Sequence, residues 1–263
     1  MISKKGFLLL VAAVSVLALV AACVSAPVSG SPQFIQHHYT FSVLFDPEHP
    51  VASHHLEVAM SLLEMVRPRE DVEFFNGLLY PHGTLDSYRD LVVAQQRERY
   101  RREEAQGKSD WRYEERISFD KAEKGGVVVE REYHVYTGGA HGLSTRRYYV
   151  INMALHHLVK IEDLFENFQG DAVRDVIYQE MRRYSKLSPN QPLSQGIFFS
   201  DRPELTHNFF VTSEGLGLHW DPYEIAPYAE GYIELIVPWR DIRPLMLNSG
   251  MELLANFDIY LFM

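Results

Sequence analysis

Between Glu214 and Glu234 the chain carries five carboxylates, Glu214, Asp221, Glu224, Glu230 and Glu234, and no Lys or Arg. Interleaved with them are Trp220, Tyr223, Tyr228 and Tyr232. Rings that supply buried area, beside carboxylates that steer and fix register, suit recognition of a basic protein surface. The ligand-binding set this predicts is Trp220, Asp221, Tyr223, Glu224, Tyr228 and Glu230. The same rings could stack on sugars, which is the alternative of a peptidoglycan glycan. A purely architectural reading also fits: half the aromatics face a core, Pro222 and Pro227 stiffen a turn, and the acids are its wet side.

A second segment with chemical possibilities is Thr137 to Gly142, where Gly138 and Gly139 precede His141. Flexible glycines beside a histidine could form an anion nest or a catalytic turn. The phosphate-loop pattern is missing, however, and a strand-joining turn needs glycine for positive φ in any case. Loop structure is therefore the role expected of Gly138, Gly139 and His141. Twelve histidines, including the pairs His37-His38, His54-His55 and His156-His157, raise a metal. Adjacent positions diverge on a strand or a helix, so a pair does not chelate by itself. With no HExxH, HxH or GxSxG pattern, no metal, cofactor or catalytic residue is expected, and the protein is read as a binder and not an enzyme, a hydrolase or a metal carrier being the least favoured alternatives.

The single cysteine, Cys23, excludes an internal disulfide and a thiolate cluster. Lys4 and Lys5 precede an apolar run of 18 residues from Phe7 to Val24, which has the build of a secretory signal. The run ends in Leu19-Val20-Ala21-Ala22-Cys23, which resembles the bacterial lipobox. A lipoprotein signal peptide over 1–22, lipidation at Cys23 and a tether over 23–33 are expected, the alternative being an uncleaved membrane helix. Either reading leaves the rest outside the cytoplasm, in a bacterial cell envelope and held to a membrane. The net charge is −10, and losing Lys4 and Lys5 leaves 23 basic against 35 acidic residues, or −12. Nucleic acid is a poor partner for such a chain.

The elements that must position these residues follow from periodicity. Residues 34–45 read as a strand, 53–65 as a core-facing helix on Leu56, Ala59, Met60 and Leu63, and 84–105 as a helix ending in dense charge. From Trp111 the period changes to two: three runs, turning at Gly125-Gly126 and at the 137–142 loop, predict an antiparallel meander. A second helical section opens at Asp163, with a stripe of Val173, Val176, Ile177, Met181 and Tyr184. Strands are expected over 208–213, 215–220, 232–238 and 253–262, with a short helix between Trp239 and Leu247. The fold class is α+β: antiparallel sheets with packed helices, in two helix-plus-sheet units over 34–120 and 121–263.

Four words of the second half resemble one family of exported bacterial domains. They are Tyr136-Thr-Gly-Gly-Ala-His141-Gly, Ile161-Glu-Asp-Leu-Phe165, Asn208-Phe-Phe-Val-Thr-Ser-Glu-Gly-Leu216, and Pro222-Tyr-Glu-Ile-Ala-Pro-Tyr-Ala-Glu-Gly231. The family is the RsiV-like domain known as domain of unknown function 3298, and residues 34–120 resemble its N-terminal companion, number 4163. The resemblance implies an extracytoplasmic binding or sensing module. Some relatives are anti-sigma factors whose outer domain binds lysozyme, and others carry a peptidoglycan deacetylase. Only six residues precede the apolar run and two modules fill the length, so neither of those further parts is expected here. The partner the resemblance implies is a basic protein such as lysozyme.

Overall fold

The computed structural model describes residues 32–45, 54–81, 83–102, 109–121 and 125–257. The expected signal peptide, Cys23, most of the expected tether and the expected strand residues from 258 onward lie outside them. Six strands form one sheet in chain order: β1 (Gln33–Leu44), β2 (His55–Arg67), β3 (Trp111–Lys121), β4 (Gly126–Tyr136), β5 (Leu143–Asn152) and β6 (His157–Val159). Neighbours are antiparallel except β2 and β3, which run parallel. A parallel pair needs a crossover, and α1 (Arg69–Leu79) and α2 (Leu85–Arg102) lie in it. After α3 (Ile161–Leu164) and α4 (Asp171–Tyr184) comes a three-stranded antiparallel sheet of β7 (Phe209–Val211), β8 (Gly215–Trp220) and β9 (Ile233–Pro238). Then follow α5 (Trp239–Ile242) and α6 (Asn248–Leu253). This is the expected α+β class. Among the described residues no helix is long and apolar enough to cross a membrane.

The large sheet is buried on two sides by two cores, and β4 and β5 show this residue by residue. Val127, Val129 and Ile151 face the core under α1 and α2, with Leu56, Phe75, Leu79 and Trp111. Val128 and Val150 face the other way, against Ile177, Met181, Leu216, Leu218 and Val237. The sheet runs unbroken through position 120, so it is the sheet itself that divides one core from the other.

Two expectations need correction. Residues 53–65 contain β2 and not a helix. Leu56, Met60 and Leu63 satisfy helical steps, yet Leu56, Val58, Met60 and Leu62 also alternate, and all are buried against the first core. Strand pairing decides the matter because β1 and β3 flank β2 as far as Ser61. Beyond that point α1 completes the ladder with side chains. The Tyr80 hydroxyl accepts from Leu63 N at 3.0 Å and donates to Leu63 O at 2.7 Å. The Asn76 amide does the same for Met65, at 2.9 Å in each direction. The second correction is the expected C-terminal strand: residues 254–257 form a tight helical turn. There the Phe257 ring lies against Gly126, and Asn152 Nδ2 donates to Leu253 O at 2.9 Å, which plugs the end of the sheet.

The first core also holds one ion pair. Glu115, 3% exposed, meets Arg131 at 2.7 Å and accepts from the hydroxyls of Tyr88 and Tyr113. Arg131 donates to Leu79 O as well, so the pair ties both crossover helices to the sheet.

Candidate functional site

The strand directions define two ends of the large sheet. Gln33, Arg67, Gly126 and Asn152 lie at one end, and Leu44, His55, Trp111, Tyr136 and Leu143 at the other. The 137–142 loop joins β4 to β5 at this second end. Gly138 and Gly139 have φ of +93° and +96°, a region costly for any side chain. Tyr136 donates its hydroxyl to Gly139 O, and Ser109 fills the space a Cβ on Gly138 would need. Both glycines thus serve the turn's backbone, and His141 is exposed on it.

The loop between β8 and β9 comes to the same place. The His141 ring stacks on Tyr228 with centroids 4.1 Å apart and planes at 20°. Tyr223 lies 5.3 Å from Tyr228, and the Tyr228 hydroxyl donates to Gly142 O at 3.1 Å. Tyr223 is 56% exposed and nearby Leu143 is 47% exposed. Tyr223 also has φ of +73°, which is rare for a bulky residue and marks strain at a position that presents its ring to solvent. Glu224 closes the turn by accepting from Asp221 N at 2.7 Å, and Glu230 is exposed at the other end of the loop. Two words far apart in sequence thus build one surface of stacked rings with a carboxylate rim.

Trp220 and Asp221 are corrected out of that surface. Trp220 is 2% exposed and donates Nε1 to Glu204 O at 3.0 Å. Every residue of β8 is buried, because the strand is central in its sheet and covered on both faces. Asp221 is buried too, and its oxygens are spent on Arg146 N, Arg147 and His219.

Asp221 belongs to an ionic cluster, buried at its His219–Asp221 centre and open at Arg116 and Arg147, that fastens the small sheet to β5. His219, fully buried, bridges Glu234 (2.9 Å) and Asp221 (3.0 Å) with its two ring nitrogens. Arg146 meets Glu234 at 2.8 Å and Glu132 at 3.2 Å, and Arg116 meets Glu132 at 2.9 Å. Tyr148 donates to Glu234 and Tyr232 to Glu132. Beyond the short β6, no strand among the described residues pairs with the edge of β5, and side chains substitute. Asp221 accepts from Arg146 N, while the Asn208 amide accepts from Tyr148 N and donates to Arg146 O. Sequence reasoning missed Asn208, Arg146, Arg147 and His219. Their one signal was register, since a lone histidine in a small, apolar strand needs a polar partner opposite it, and His219 pairs with Glu234.

Charge follows from this geometry. Burial disfavours the His219 cation, but hydrogen bonds to Asp221 and Glu234 outweigh it and raise its pKa. The His219 hydrogen bond, aided by Tyr148 and Arg146 against burial, lowers Glu234 to about 2. Asp221 is likewise lowered, burial being overcome by His219, Arg146 N–H and Arg147. The raised histidine stabilises the fold below its ordinary value of about 6.5, and this is lost as pH rises through the folded value. The lowered carboxylates stabilise above their ordinary values of about 4, and that is lost on acidification. Thermal unfolding followed against pH is expected to peak between about pH 5 and 6.5, then to decline on the alkaline side. A midpoint that rises steadily through pH 8 would contradict a charged His219.

Among the paired histidines, His37 meets Glu64, His156 meets Asp71 and His157 meets Asp163, while His54 and His55 both approach Asp110. Among the described residues no three His, Cys, Asp or Glu side chains converge as a metal site.

Fold and site together define a two-sheet α+β protein whose outward feature is a ring patch held by a buried ionic cluster. Residues 162–240 match the family described as "Protein of unknown function (DUF3298)". That span contains the small sheet, His219, Asp221, Tyr223, Tyr228 and Glu234, and leaves out His141, Arg146 and Arg147. The fold is similar to the crystal structure of a DUF3298 family member from Bacteroides fragilis, with a TM-score of 0.70 and 16% identity over 85% of this chain and 96% of that one. A DUF3298 family protein from Pseudomonas aeruginosa is similar at a TM-score of 0.58 and 15% identity, over 84% and 96% of the two chains. No curated protein matches the sequence.

Proposed function

We propose that the protein is an exported binding protein of the bacterial cell envelope, lipid-anchored through Cys23, RsiV-like with a 4163-like N-terminal half. It takes a basic protein surface, of which lysozyme is the leading example, on the His141–Tyr223–Tyr228 patch. The observation that carries this reading is the cluster of His141 stacked on the half-buried Tyr228, with the exposed Tyr223 tilted against it, beside Glu224 and Glu230. Stacked, pre-ordered rings lose little entropy on binding, and a carboxylate rim speeds the approach of a cation. The position of the patch also supports it. β1 begins at Gln33, next to the anchor segment, and its 12 residues span about 36–40 Å to the end of the sheet that carries the patch. The patch is then turned away from the anchor, toward a soluble partner. Binding acts by covering the partner's surface, with no bond made or broken.

Biosensor binding of a chicken-type lysozyme, beside an equally basic unrelated protein, tests this at two salt concentrations. Specific binding whose on-rate falls as salt rises is expected. Lysozyme binding no better than the control removes that partner, and salt-insensitive retention on cell-wall sacculi would favour glycan.

A further inference from the structure

The turn that carries Tyr223 is tied to the rest of the fold through one carboxylate. Asp221 stands just past the end of β8, and its Oδ1 accepts from Arg146 N on β5 at 2.8 Å and from His219 Nε2 at 3.0 Å. Its backbone closes the turn: Asp221 N donates to Glu224 Oε2 at 2.7 Å, and Asp221 O accepts from Glu224 N at 3.1 Å. β5 leads out of the loop that carries His141, so this attachment sets the Tyr223 and Tyr228 rings against the His141 ring. A φ of +73° at Tyr223 persists only while its surroundings enforce it.

Both ring nitrogens of His219 face carboxylates, Nδ1 on Glu234 and Nε2 on Asp221, so both bonds need the doubly protonated ring. A neutral imidazole keeps one N–H and turns a lone pair on the other carboxylate. Glu234 lies opposite His219 in the ladder of β8 and β9 and is held further by Arg146 and Tyr148, so the remaining proton stays on that side. The lone pair then faces Asp221 Oδ1, and an oxygen that moves away from it also leaves Arg146 N. Arg147, half-exposed, follows Oδ2 outward. The other groups packed on the ring and its carboxylates keep one charge state through neutral pH. Asp221, against its burial, and Glu234 are held low by hydrogen bonds led by that from His219. Burial pushes Tyr148 and Tyr232 up, and neighbouring carboxylates raise Arg146 and Arg147 against theirs.

We propose that the proton on His219 gates the ring patch: with it the Tyr223 turn is locked to β5, and without it the turn opens and the patch releases its partner. The effect on binding rests on the function proposed above, whereas the opening itself does not. A closed turn that holds one more proton than the open one opens more easily as pH rises, by up to about tenfold per pH unit between the pKa of the open turn and the higher one of the closed turn. Amide exchange read by NMR at Arg146, Asp221 and Glu224 over about pH 6 to 9, with the intrinsic pH dependence of exchange divided out, measures this without any partner. The wild-type chain should lose protection at these amides as pH rises, through openings easier than those that expose the buried amides of Leu63 and Met65. His219→Gln, first shown to be folded by its melting point, should show no slope. Lysozyme affinity should fall over the same range for the wild type and stay level for H219Q. A level wild-type exchange profile would overturn the gate even where lysozyme binds, as would exchange at Asp221 only together with Leu63 and Met65. A slope that survives in H219Q would assign it to His141 or His134 and overturn the gate as well. Sloping exchange in a chain that binds no lysozyme would uphold the gate and strike only the partner.

Discussion

Replacing His219 by leucine is expected to destabilise the folded chain by about 3–5 kcal/mol, the cost of removing one partner from a buried charge set. The ring is fully buried and stands between two carboxylates, Glu234 opposite it on β9 and Asp221 just past the end of β8. Without the imidazolium, Asp221 and Glu234 retain Arg147 and Arg146 but lose the cation they share. The midpoint of thermal unfolding should fall by roughly 6–20 °C, and the alkaline decline of the wild-type pH profile should flatten. Glutamine at this position is milder, because one amide can donate to one carboxylate but not to both. A loss below about 1 kcal/mol for H219L would show that the ring contributes no more than an ordinary neutral hydrogen bond.

The second large effect belongs to the ring patch. Tyr228 is its centre, stacked on His141, beside Tyr223 and bonded to Gly142 O. Central aromatic anchors carry most of the energy of an interface, and truncating one typically costs 2 kcal/mol or more, about thirtyfold in affinity. Replacing Tyr223 and Tyr228 together by alanine should therefore abolish most binding of a basic partner. The fold should survive, because neither residue is part of either core. Alanine at position 223 keeps the Cβ and with it the cost of a φ of +73°, and both rings lie outside the cores, so stability should change little compared with H219L.

Much of this architecture is legible in the chain. The meander of β3, β4 and β5 is written in period-two runs with a glycine turn, and the small sheet in three short apolar strands. β2 was misread because Leu56, Met60 and Leu63 fit a helix and a strand equally, and only the neighbours that pair with it decide. α1 passed unnoticed because it starts at once after Pro68, with Arg69, Glu70 and Asp71 ahead of its first apolar residue, and Pro68 reads as an end where it serves as a start. The site was half legible. The aromatic loop and the glycine loop stood out separately, yet nothing local says that Tyr228 and His141 stack across 87 positions. Trp220 was read as a surface ring because β8, buried on both faces, has no alternation to tell inside from outside. The ionic cluster was hidden for a related reason: its members come from three strands of one sheet and two of another, each looking ordinary alone.

The most direct test is the affinity of chicken-type lysozyme for the wild-type chain and for the Tyr223→Ala/Tyr228→Ala variant, each first shown to be folded by its melting point. Specific binding by the wild type, weakened thirtyfold or more in an equally stable variant, is the predicted result. Equal affinity in the two folded proteins would contradict it and take the ring patch out of the function.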